Sequence, residues 1–112
     1  MSVDPKLQSV FAHLQDLARN RDLSPLAIGE KDGSPALQTG GQNFAHLADA
    51  RTLVLRCPAE QKVLLMQASP DIYFESDAYV GKPMVLVHLD QIADEELSMR
   101  LEDAHRYKTD AG

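Results

Sequence analysis

The sequence predicts an α+β domain: an antiparallel sheet flanked by a helix at each end of the chain, with one further helix inserted between strands. Two observations carry this. The stretch 34–56 holds two short runs separated by Gly40-Gly41, then a third run, 52–56, after the break Ala48-Asp49-Ala50-Arg51. A two-residue primed turn needs positive φ, which glycine reaches without steric cost, so the pair marks a hairpin and the break a second one. Apolar residues at helical spacing near both termini supply the flanking helices.

Taken in order, Asp4-Pro5 opens the first helix, with aspartate as cap and proline at the first helical position, where its missing N–H costs nothing. Leu7, Val10, Phe11, Leu14, Leu17 and Ala18 fall on one helical face, while Asp16, Arg19 and Arg21 belong to the wet side. The helix fades at 20–22, and His13 sits exposed beside the stripe. Residues 23–33 read as a loop with a short strand at Leu26-Ala27-Ile28, turns at Ser24-Pro25 and Asp32-Gly33, and solvated Glu30, Lys31 and Asp32.

Strands at 34–39, 42–47 and 52–56 follow. Cys57-Pro58 then starts a second helix, again with proline first, and Val63, Leu64 and Met66 are its expected buried side. Ser69-Pro70 ends it, because a residue before proline is pushed out of the helical region. Ile72-Tyr73-Phe74 is a brief strand and 75–83 a loop carrying Tyr79, Gly81 and Lys82. The run 84–89 is apolar on both parities except at His88, which predicts a strand covered on both faces. The last helix starts near Asp94, with Glu95 and Glu96 where the positive helix end favours carboxylates. Leu97, Leu101 and Ala104 form its inner face, and 109–112 a frayed tail.

The whole chain, 1–112, reads as a single domain ordered from about residue 4 to 108. An apolar fraction of 44% and a charged fraction of 25% are those of an ordinary globular protein, and no window resembles a membrane span or a secretory leader. The lone Cys57 excludes an internal disulfide and fits a reducing cytoplasm. A net charge of −6 opposes non-specific attraction to nucleic acid, so any basic surface has to be local.

Little in the chain points to catalysis. His13, His46, His88 and His105 lack the spacing of a zinc site, and one cysteine supplies no thiolate cluster. No metal or cofactor is expected. His88 and Asp90 alternate along a strand, which reads as a histidine satisfied by its neighbours. Cys57 has no histidine placed beside it, and Gly40-Gly41 is followed by no Gly-Lys-Ser/Thr. Asp94, Glu95, Glu96, Glu102 and Asp103 read as a solvated helix face. The chain is therefore read as non-enzymatic. Arg51, Arg56, Lys62 and Lys82 are the candidate phosphate contacts, provided the fold brings them together. Tyr73, Phe74 and Tyr79 are the candidate contacts for a protein or small-molecule partner.

The ordered set Gly33-Ser-Pro-Ala-Leu, Gly41, Phe44-Ala45, Leu53-Val-Leu-Arg-Cys-Pro58, Pro70-Asp71 with Tyr73-Phe74, Tyr79 with Gly81, Pro83-Met-Val-Leu-Val-His-Leu-Asp90, and Glu96-Leu97 with Leu101, Ala104 and Arg106 resembles the MmcQ/YjbR family. The resemblance implies a frataxin-like (CyaY-like) arrangement, a DNA-binding role attached to a double-wing architecture, and no catalytic residues. Where relatives often carry lysine or arginine, this chain has Gln38, Gln42 and His46, and a frequent Ala-Trp-Arg reads Ala104-His105-Arg106. Fewer cations imply weak phosphate binding.

Overall fold

A computed structural model describes residues 5–31 and 33–111, with 108–111 described as helix backbone alone. The elements are α1 (Pro5–Asn20), β1 (Ala27–Lys31), β2 (Ser34–Thr39), β3 (Gln42–Asp49), β4 (Thr52–Arg56), α2 (Ala59–Ala68), β5 (Tyr73–Phe74), β6 (Met84–His88) and α3 (Asp94–Ala111). The strands form one six-stranded sheet in the order β1-β2-β3-β4-β6-β5, with every pair antiparallel. The α+β class and the three helix positions are as the sequence predicts. The Asp4 cap, Asp32 of the turn and Gly112 of the tail lie outside the described residues, and the α3 backbone stays helical to Ala111 rather than fraying from Thr109.

Gly40 and Gly41 take φ of 62° and 79°, the left-handed values of a primed turn. Two residues further on, the β2–β3 register shifts: Leu37 faces Ala45, but Gln38 faces Asn43. The extra residue on β3 lets the neighbours Phe44 and Ala45 both enter the core instead of alternating. Residues 27–31 form a full edge strand rather than a short strand within a loop. Glu30 and Lys31 are solvated as expected, because an edge strand tolerates charge that a central strand would not.

The core lies between one sheet face and α1 and α3. Phe11, Leu14 and Ala18 of α1 and Leu97, Leu101 and Ala104 of α3 pack with Leu37, Leu47, Leu53, Leu55, Val85 and Val87. Arg21, expected on the wet side, instead ties the end of α1 to α3. Its Nε donates to Ser98 Oγ at 2.9 Å and its NH1 to Glu102 at 3.0 Å.

α2 departs furthest from expectation. Pro58 caps the helix instead of opening it, and Val63 and Leu64 are 48% and 65% exposed. Leu65 and Met66 pack toward the core, while Lys62 is buried. Four consecutive apolar residues, 63–66, span too much of the helix circumference for periodicity to choose a face. The partners of the Lys62 amine decide it.

Candidate functional site

Strand alternation divides the sheet into the helix face and an outer face. On the outer face, Ala36, His46, Val54, Leu86 and Phe74 register into one row across β2, β3, β4, β6 and β5. Ala36, Val54 and Leu86 are buried yet stand outside the helix-face cluster. Arg56 pairs with Met84 in the adjoining row, and Thr52 with His88 in the opposite one. The 75–83 loop, with a 3₁₀ turn at Asp77–Tyr79, borders the Arg56 end.

Between that loop and the sheet lies an open cleft of about 540 Å³. Three cations line it: Lys31 from β1, Arg56 from β4 and Lys82 from the loop. Gln42, His46 and Asn43 contribute polar groups, and Tyr79 and Met84 apolar surface. No carboxylate is found among its described lining residues. Arg21, Lys62, Arg100 and Arg106 each pair with a carboxylate, whereas none of the three cleft cations is within ion-pair distance of one among the described residues. In a chain of net charge −6, three cations without an ion-pair partner among the described residues converge here, while Arg19 and Arg51, also without one, lie elsewhere.

Of the four candidate cations, the fold brings together Arg56 and Lys82. Arg51 lies past the other end of β4, five residues away and thus about 17 Å along the strand, bordering a different depression with Pro5 and Val10. Lys62 is a correction. It is 4% exposed, with its Nζ 2.6 Å from Glu75 Oε1 and donating to the carbonyls of Tyr79 and Lys82. It supports the cleft wall and is not a surface contact.

Tyr73 is also a correction: it is 1% exposed, in the core, and its hydroxyl donates to Glu96. Burial, followed by that hydrogen bond, pushes its phenol well above the usual range. Phe74 sits half-buried on the outer face, stacked on the His88 ring with centroids 4.1 Å apart and planes 13° from parallel. Tyr79 lines the cleft. Lys31 escaped the sequence reading because residues 30–32 look like a solvated turn. Extending β1 by three residues would have given it the parity of Gly29 and Ala36, hence the outer face.

His88, Asp90 and Cys57 do not come together. Cys57 is buried against Gln61, Arg100 and Asp103, and burial pushes its thiol up to about 11, with Arg100 partly opposing this. Among the described residues, no three His, Cys, Asp or Glu side chains are grouped to hold a metal ion. Four carboxylates of α3 are tied into the fold, while Glu95 is exposed. Asp94 meets His13 at 2.9 Å, Glu96 meets Tyr73, Glu102 meets Arg21 and Arg106, and Asp103 meets Arg100 and Gln61. Among the described residues no helix is long and apolar enough to cross a membrane.

Comparison with protein-family models, with curated proteins and with solved structures gives no match.

Proposed function

We propose that this chain is a non-enzymatic cytoplasmic DNA-binding domain, as its resemblance to the MmcQ/YjbR family implies, and that it takes phosphate in the cleft bounded by Arg56, Lys82 and Lys31. The observation that carries the reading is the segregation of charge: among the described residues, three cations without ion-pair partners line a cleft with no carboxylate in its lining, in an otherwise acidic protein. Gln42 and His46, two positions where the family often carries cations, line the same cleft. Contact with few phosphates gives weak binding with a shallow dependence on salt, since the slope scales with the number of contacts. The lone cysteine fits the reducing compartment.

Fluorescence anisotropy of labelled DNA at low and at physiological salt tests the reading. Binding that weakens with salt and disappears in Arg56→Glu/Lys82→Glu is the expected result. Absence of binding at low salt, or binding unchanged in the double variant, would overturn it. The cleft volume favours a second reading, a small anionic ligand, since pockets for such ligands hold about 300–1,000 Å³. Inorganic phosphate or a mononucleotide that shifts the melting temperature without any affinity for DNA would select this alternative.

A further inference from the structure

The outer face has a chemistry beyond its charge. Next to the cations stand an aromatic ring on the cleft wall, Tyr79, and a second aromatic position on the same face, the Phe74–His88 stack. Arg56 and Phe74 are two strands and two residues apart, roughly 12 Å across the sheet. The row between them, Val54 and Leu86, is apolar. A duplex conceals the faces of its bases and presents groove edges, which are read by a helix or a two-stranded ribbon inserted into the groove. A single strand offers base faces to aromatic side chains and phosphates to cations, which is the pairing of groups on this face.

Resting on the reading of the cleft as a DNA site, we propose that the bound form is single-stranded, with phosphates against Arg56, Lys82 and Lys31 and bases stacked at Tyr79 and at the Phe74–His88 pair. Charge complementarity and ring placement both select this occupant. With three phosphate contacts, the slope of log affinity against log salt is about −2 for a single strand.

The test uses the full chain and a fluorescein-labelled oligodeoxynucleotide of about 12 residues, single-stranded or annealed to its complement, with a mononucleotide as competitor. The single strand is expected to bind more tightly than the duplex. Tyr79→Leu and Phe74→Leu should each weaken it roughly five- to a hundredfold, the range of one lost base stack. Tyr79→Phe, which keeps a ring face, should restore binding, and circular dichroism confirms that each variant is folded. Duplex binding equal to or tighter than single-strand binding would overturn the inference while leaving the DNA reading intact. So would single-strand binding that is indifferent to both leucine variants. Failure of both forms to bind at low salt would remove the two together, and a mononucleotide that binds as tightly as the strand would reassign the face to a small ligand.

Discussion

The Nζ of Lys62 lies 2.6 Å from Oε1 of Glu75 and also donates to the backbone carbonyls of Tyr79 at 2.9 Å and Lys82 at 3.2 Å. One buried ammonium thus fastens α2 to the loop that forms the cleft wall. Removing one partner of a buried pair leaves the other charge desolvated and the carbonyls unsatisfied. Lys62→Met is expected to lower stability by about 3 kcal/mol in urea denaturation, and Glu75→Gln by about 1–2 kcal/mol. The double variant should cost less than the sum of the two. Strict additivity would show that the contact is not energetically coupled.

Tyr73 has a parallel arrangement on the helix face, where its hydroxyl donates to Glu96 from a ring almost wholly removed from water. Tyr73→Phe keeps the packing and loses the bond, for an expected loss of about 1–2 kcal/mol. Tyr73→Ala also leaves a ring-sized cavity and should cost about 3–5 kcal/mol. Equal costs for the two would mean that the hydroxyl carries the whole contribution.

The fold was legible where local chemistry is unambiguous. The Gly40-Gly41 turn, the α1 stripe, the doubly covered β6 and the acidic start of α3 each rest on a signal that neighbouring residues cannot reverse. The site was less so. Lys62 and Tyr73 have side chains that are as reasonable outside as inside, and partners distant in sequence, Glu75 and Glu96, decide for them. Arg51 and Arg56 look equivalent on one hairpin, yet the direction of β4 sends them to opposite ends of the sheet. Lys31 reaches the cleft only because an edge strand continues through a charged run.

The left-handed turn predicts its own cost. With φ of 62° at Gly40, a Cβ would clash with the following carbonyl, although it would meet no neighbouring side chain or backbone. Gly40→Ala is expected to cost about 1 kcal/mol, lowering the melting temperature by about 4 °C, whereas Gly40→Asn should cost less. An unchanged melting temperature for the alanine variant would argue against the primed turn.

Cys57 predicts a pH dependence. An exposed thiol titrates near 9.0, and burial raises that of Cys57 to about 11 in the fold. Between these values the unfolded chain binds fewer protons than the native one, so stability falls as pH rises from about 9 toward 11. Below pH 9 the contribution is constant. Urea midpoints measured from pH 8 to 11 should therefore drop less steeply for Cys57→Ala than for the parent. A parallel drop in both would place the cause elsewhere.

The two ends of β4 separate the cleft from ordinary surface charge. Each phosphate contact with a single strand contributes about 0.7 to the salt slope, so Arg56→Ala should make the slope shallower by about that amount and Arg51→Ala should leave it unchanged. The converse substitution is Gln42→Lys, which adds a cation to the lining of the same cleft at an exposed position. It should tighten binding at low salt and steepen the slope by about 0.7 without altering the fold. Titrations across a salt series measure all three variants together. A response to Arg51 equal to that of Arg56 would mean that the protein attracts DNA by its general surface, and a silent Gln42→Lys would mean that phosphate does not enter the cleft.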